Sequence, residues 1–222
     1  EKLASMGRMS AAVAHEIRNP LAAIAQANAL LEEDLVDPRH KQLTHMVQQN
    51  ANRLERIVEE VLNISRVGNR PAAFEAQSLT LNDAVARICR DWAHQTESTL
   101  MLRVNLSTSQ SEVDFDPEHL RRVLINLLDN ARRYASRLAE SIQVSTRPSA
   151  GATVALAVWS DSPPMEQSVE QHLFEPFFSS ESRSSGLGLY LCRELCEGHG
   201  ATIAYLRLRR IARDTPMEGN EF

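Results

Sequence analysis

Met9-Ser10-Ala11-Ala12-Val13-Ala14-His15-Glu16-Ile17-Arg18-Asn19-Pro20-Leu21 sets a helical period that its neighbours continue. Leu3, Met6, Ser10, Val13, Ile17, Pro20 or Leu21, Ile24 and Leu31 recur at steps of three and four. That spacing predicts a helix from about Leu3 to about Glu33 with one buried seam, disturbed at Pro20. His15 stands two residues from both Val13 and Ile17 and so points away from the seam. Glu16 follows it, and Asn19 lies one turn on. An imidazole, a carboxylate and an amide are thereby offered together on an exposed helical surface. A lone histidine there would read as solvated; the run as a whole does not.

Working outward, Asp34-Leu35-Val36-Asp37-Pro38 carries turn signals. A ladder of Leu43, Val47, Asn50, Leu54, Ile57, Val61 and Ile64 follows, a coiled-coil pattern with Asn50 as its polar member. Two helices bury little alone, whereas two such hairpins make a four-helix bundle. Residues 1–67 therefore read as half of a homodimeric bundle. Gly68-Asn69-Arg70-Pro71-Ala72-Ala73 reads as a linker.

Composition limits the alternatives. With 222 residues, 43% hydrophobic and 24% charged, the chain suits one or two globular domains. A net charge of −5 and the lack of a basic stripe with interleaved aromatics argue against a nucleic-acid partner. No apolar run reaches the roughly 20 residues that span a bilayer. Three cysteines fit a reducing compartment. Cys192, Cys196 and His199 share helical spacing but lack a fourth ligand, so core packing is preferred to zinc. The chain opens at Glu1 already in helical phase, which reads as a piece of a longer protein.

Beyond the linker the period changes, and residues 74–222 read as a second domain. Strands are expected at Phe74–Thr80, Leu100–Leu106, Val113–Phe115, Ile142–Thr146, Thr153–Trp159 and Ala201–Leu208. Helices are expected from Leu81 to about His94, with Leu81, Val85, Ile88 and Trp92 inward, and from about Leu187 to Gly198. Another begins at Pro117 behind the N-cap Asp116. The expected fold is a helical hairpin followed by an α+β two-layer sandwich, with helices on one face of a mixed sheet. Gly219-Asn220-Glu221-Phe222 reads as the start of a last strand, cut off.

Within this domain Asn126-Leu127-Leu128-Asp129-Asn130-Ala131-Arg132-Arg133-Tyr134 puts two amides four residues apart on one helical face. Asn is uncommon inside helices because it competes for backbone hydrogen bonds, so the pair points to a ligand. Val158-Trp159-Ser160-Asp161-Ser162-Pro163-Pro164-Met165 reads as a strand leaving into a turn. Leu173-Phe174-Glu175-Pro176-Phe177-Phe178 is a hydrophobic turn. Ser184-Ser185-Gly186-Leu187-Gly188-Leu189 opens a helix, where free backbone N–H groups can meet phosphate.

These runs resemble the motifs of two-component sensor histidine kinases. His-Glu-Ile-Arg-Asn-Pro-Leu is similar to the H-box, and the four later runs to the N-, G1, F- and G2 boxes of the nucleotide domain shared with gyrase, Hsp90 and MutL. The H-box neighbourhood looks most like nitrogen- and pilus-regulation sensor kinases. The resemblance implies that His15 is phosphorylated from Mg-ATP and passes the phosphoryl group to an aspartate of a response regulator receiver domain. It gives Glu16 and Asn19 catalytic parts, with phosphatase activity toward the regulator also implied. Nucleotide contacts fall to Asn126, Asn130, Arg133, Tyr134, Asp161, Gly186, Leu187 and Gly188, with Asn130 on Mg²⁺ and Asp161 on the adenine amino group. The core would be cytoplasmic, with its sensor region elsewhere and a membrane anchor in the full-length protein left open. Departures are Arg133 for a lysine, Pro163 and Met165 for the G1 glycines, and Ser184 for the first G2 glycine. The lost glycines at Pro163, Met165 and Ser184 favour the rival reading, a degenerate kinase acting mainly as a phosphatase or a nucleotide-binding scaffold, while the retained His15, Glu16, Asn130, Asp161, Gly186 and Gly188 weigh against it. An ATPase of the gyrase or Hsp90 type is disfavoured by the hairpin ahead of the domain.

Overall fold

The structure, a computed structural model, describes residues 2–68, 78–107, 112–151, 153–178 and 186–222, of which 2–16, 56 and 59–68 are described in backbone alone. The chain divides into two compact units, Glu1–Ala72 with Glu181–Leu187, and Ala73–Ser180 with Gly188–Phe222. The expected linker beyond Gly68, the residues of the first expected strand before Ser78, and Ser184 and Ser185 lie outside the described residues. So do the side chains of the early seam, of His15 and Glu16, and of Val61 and Ile64.

The first unit is the expected hairpin: α1 spans Lys2–Asp34 with Pro20 inside it, and α2 spans Pro38–Gly68. Asp37 caps α2, accepting the Arg39 N–H at 2.8 Å, with Pro38 in the first turn where a missing N–H costs nothing. The seam inside the hairpin differs from the expected one. Leu21 packs with Val58, and Asn28, Thr44 and Ala51 are the other buried members among the described residues. Thr44, Ala51 and Val58 keep a heptad step, as do Leu21 and Asn28. Asn28, polar like Thr44, crosses this seam, donating to the Thr44 carbonyl at 2.9 Å and to Gln48 Oε1 at 3.3 Å. Ile17, Ile24 and Leu31 of α1, and Leu43, Val47 and Leu54 of α2, face outward and stay 42–59% exposed. Asn50 lies exposed on the same outer side and bonds the Met46 carbonyl of its own helix at 2.8 Å.

The second unit is the mixed two-layer sandwich. Its elements are β1 (Ser78–Thr80), α3 (Leu81–Gln95), β2 (Leu102–Asn105), β3 (Glu112–Asp114), α4 (Pro117–Tyr134), β4 (Ile142–Pro148) and β5 (Val154–Ser160). Then come α5 (Gln167–Gln171), α6 (Gly188–Gly198), β6 (Leu206–Ala212) and β7 (Thr215–Glu221). The main sheet runs β2-β4-β5-β7-β6, with β2 parallel to β4 and the other pairs antiparallel; β1 and β3 form a separate ribbon. The core includes Val85, Ile88 and Trp92 of α3, Leu124 and Leu128 of α4, Ile142, Val144 and Val158 of the sheet, and Leu191, Cys192 and Leu195 of α6. As expected, Leu81, Val85, Ile88 and Trp92 all point inward.

The end of the chain departs from expectation. Ala201–Tyr205 is not a strand; β6 begins at Leu206, and the strand expected to be cut off is a seven-residue β7 paired along its length with β6. Arg213 and Asp214 turn the hairpin, both at positive φ (52° and 58°), a two-residue connection whose twist matches the strands. Alternating arginines hid β6 from a hydrophobicity reading, because their charges are met across the hairpin. Arg209 pairs with Glu218, while Arg210 pairs with the buried Glu221. β7 lies so close to β5 that a Cβ on Gly219 would run into the Ser160 carbonyl and the Trp159 ring. Reciprocal backbone hydrogen bonds between Val158 and Phe222 continue the join.

Candidate functional site

Asp116 starts the helix that carries the paired amides. Its carboxylate accepts the N–H groups of Glu118 and His119 at 2.8 and 3.0 Å, with Pro117 in the first turn. Desolvation opposes its charge, but the His119 N–H, the nearby histidines and the Glu118 N–H hold the carboxyl below its usual range. Leu120, Val123, Leu124, Leu127 and Leu128 bury one side of α4 and leave Asn126 and Asn130 half-buried at its edge. Asp129 fixes the helix to α3 by accepting the Trp92 indole N–H at 2.8 Å. The sequence reading missed that contact, because an aspartate in a helix gives no sign of a partner 37 positions away.

The amides have different surroundings. Asn126 meets the first turns of α6: it hydrogen-bonds the Cys192 sulfur, and a Cβ at Gly188 would sit 3.7 Å from its Oδ1. The start of α6 therefore lies beside the first amide, and a helix N-terminus is where backbone N–H groups can meet an anion. The Asn130 side chain is not hydrogen-bonded by any described residue. It offers an amide oxygen of the hard kind that Mg²⁺ accepts alongside phosphate oxygens and water. Arg133, exposed, lies 5.7 Å from the centre of the half-buried Tyr134 ring. Gly186 has a φ of 69°, which suits glycine, and Leu187 is buried.

Asp161 is placed otherwise than a free adenine acceptor would be. Its side chain has no exposed surface: it accepts the Ser136 N–H at 2.9 Å and hydroxyl at 2.6 Å, and lies 3.6 Å from the Arg213 guanidinium. Ser136 follows α4, so the carboxylate ties the exit of β5 to the C-terminal end of that helix. Arg213 also donates to the Ala139 carbonyl at 2.9 Å, and its backbone N–H reaches Glu140 at 3.1 Å. That N–H, with Arg103 beside it, holds Glu140 below the usual carboxylate range. Ser160 is buried, its hydroxyl sharing a 2.6 Å hydrogen bond with that of Ser162.

In the hydrophobic turn, Leu173 is buried and Phe174 meets Phe222 edge-on at 6.4 Å, whereas Phe177 is 67% exposed. Burial raises the Cys89 thiol to about 12 and Cys196 to about 11, and pushes Cys192 up as well. All three pack as small apolar groups, and no metal-holding cluster of His, Cys, Asp and Glu occurs among the described residues. His199 faces His119 instead, ring nitrogens 2.9 Å apart, with the Phe115 ring 4.1 Å away centre to centre. Among the described residues no helix is long and apolar enough to cross a membrane.

In the first unit, the backbone of α1 carries His15, Glu16 and Asn19 within one turn, and Asn19 is exposed. The two units thus hold separate halves of the expected chemistry.

Comparison with known proteins matches each unit separately. Residues 5–70 match the His Kinase A (phospho-acceptor) domain, and residues 115–222 match the Histidine kinase-, DNA gyrase B-, and HSP90-like ATPase. Sensor protein kinase PilS of Pseudomonas aeruginosa is 38% identical over 209 residues, covering 92% of this chain and 38% of that protein. Sensor histidine kinase ZraS of Klebsiella oxytoca is 32% identical over 205 residues, covering 91% and 43%. The chain spans less than half the length of these curated relatives. Full-length ShkA in complex with AMPPNP superposes with a TM-score of 0.69 at 19% identity, over 97% of this chain and 44% of that one. For Acinetobacter baumannii histidine kinase AdeS the score is 0.57 at 19% identity, over 93% and 96%. At that identity the two structures speak for the fold.

Proposed function

This chain belongs to the sensor histidine kinases, and from that membership we propose that His15 takes the γ-phosphoryl group of ATP and delivers it to an aspartate of a response regulator receiver domain. The observation that carries the reading is Asn130, a half-buried amide with no hydrogen-bond partner among the described residues, on the helix that also sets Asn126 beside the start of α6. Asn130 would hold Mg²⁺, which when bound neutralises phosphate charge. Backbone N–H groups at Gly188 and after it would receive phosphate oxygens, with Gly186 and Leu187 leading into that turn and Asn126, Arg133 and Tyr134 lining the approach.

His15, neutral, would attack phosphorus through one ring nitrogen while Glu16 takes the proton from the other, so charge never accumulates on the imidazole. ADP leaves with the bridging oxygen. The phosphoramidate is labile and suits onward transfer to a carboxylate. Asn19 is assigned to orienting a water when the regulator is dephosphorylated. Asp161 is assigned the adenine amino group, a role that requires it to exchange Ser136 or Arg213 for the base.

The outward apolar rows on α1 and α2 support a homodimer, since a second copy would cover what one hairpin leaves exposed. The clasped state of Asp161 favours a second reading, a scaffold or phosphatase in which nucleotide turnover is lost. Incubation with γ-labelled ATP separates the readings. Acid-labile label that disappears in His15→Gln supports the kinase; free phosphate without label would make it an ATPase, and neither would leave the scaffold.

A further inference from the structure

The segment after β5, Ser160 to Met165, contains no glycine and two adjacent prolines that lack N–H groups. Asp161 donates its own N–H to the Ser141 carbonyl at 3.0 Å, while the carbonyls of Ser162 and Pro163 take their donors from the C-terminal hairpin. Arg207 donates through Nη1 to the Ser162 carbonyl at 3.1 Å and to Asn220 Oδ1 at 2.7 Å. Asn220 Nδ2 donates to the Pro163 carbonyl at 3.0 Å, while its Oδ1 also accepts the Tyr205 hydroxyl at 3.0 Å. Asn220 is buried, and this set of partners admits only one orientation of its amide. At the start of the segment, Asp161 is tied to Ser136 and Arg213. Three successive residues are thus held, two by side chains of β6 and β7 and one by their turn and the end of α4.

We propose that Arg207 and Asn220 are positioning residues of the nucleotide site, holding the Ser160–Pro164 segment in the geometry that admits the base. The inference rests on the nucleotide reading above. Glycine freedom is replaced by fixation: a segment with φ set at its two prolines is pinned from outside in one usable shape. The phosphate end is served by Asn126 and Asn130 of α4 and the start of α6, and the Arg207 and Asn220 contacts involve none of these.

The test is titration of this chain with Mg-ATP and, separately, with Mg-tripolyphosphate. Asn220→Asp keeps the side-chain size and the acceptors for Arg207 and Tyr205 but cannot donate to Pro163. Arg207→Lys keeps the charge but loses the planar guanidinium whose Nη1 meets both acceptors. Each variant is checked for cooperative thermal unfolding, and the two lesions are chemically independent, so the proposal stands or falls on whichever folds. The expected result is an ATP affinity lowered roughly tenfold, the scale of one lost hydrogen bond, with tripolyphosphate affinity unchanged. Unchanged ATP affinity in a folded variant overturns the proposal, as does a parallel loss for both ligands, which would mark a purely structural role. A native chain that binds no ATP overturns the nucleotide reading and this inference together.

Discussion

Asp116 is a residue whose part is plain from its neighbours. An aspartate before Pro117 and an amphipathic run announces an N-cap, and the structure gives it two N–H groups. Asp116→Ala should lower stability by about 1 kcal/mol in urea unfolding, within the usual range for lost caps. Its pH signature follows from the sign of its shift. A carboxyl held below its unfolded value contributes stability that is complete above that value and is lost as pH falls through the folded one, here below about pH 4. Burial, the larger influence, lowers His199 despite Asp116, so its neutral form is favoured and stability should fall on acidification below 6.5. Asp116→Asn keeps an acceptor at the cap and should remove the lower limb while leaving the upper one. A profile that retains both limbs would reassign the lower. Asp161 shows where local reading stops. The residue was legible as the charged group at the strand exit, but Ser136 and Arg213, which occupy it, are distant in sequence and carry no motif.

At the scale of elements, a 3.6-residue period identifies α1 and α2 but does not say which apolar row faces which partner. Rows Leu43-Val47-Leu54 and Thr44-Ala51-Val58 both fit a helix; the second, less apolar, packs inside the hairpin because Asn28 finds Thr44 and Gln48 there. The β6–β7 hairpin was illegible for the opposite reason, its arginines looking like solvent-facing loop until their glutamates are set across from them. Gly219 offers the sharpest test of that hairpin. Gly219→Ala places a methyl against the Ser160 carbonyl and the Trp159 ring, neither of which can yield cheaply. A stability loss of about 1–3 kcal/mol is expected, the usual scale for overpacking, with Trp159 fluorescence shifting as the ring moves. A variant as stable as the native chain would mean that β7 does not approach β5 this closely.

For the whole molecule, the outward rows of the hairpin predict a dimer through residues 1–67. Sedimentation should give twice the chain mass, and a monomer at every concentration would remove the bundle. Asn50→Leu should raise the stability of that dimer while loosening its register or number of chains, because Asn50 lies on the outer side. Dimers unchanged in both respects would place Asn50 off the interface. Separate units also predict separable defects. His15→Gln should abolish phosphorylation and leave ATP affinity intact, whereas Asn130→Asp should disturb Mg-dependent ATP binding, measured by calorimetry with and without Mg²⁺. Loss of ATP affinity in the histidine variant would contradict the division of labour.

The sheet is closed by partners far apart along the chain: Gln143 bonds Ile211, 68 positions on, and Arg210 reaches Ser145, 65 positions back. Such closure must wait for a long loop to come together, whereas α3 and α4 can form from local contacts. Refolding should therefore be kinetically split, with helical ellipticity recovered first and the indole environment of Trp159 recovered later. The segment from Ser160 to Pro164 takes shape only in that late step. Competence for nucleotide would then be the last property the domain regains after denaturation. Stopped-flow refolding followed by both signals reads this directly, and a single shared rate constant would show that the hairpin docks as the helices form.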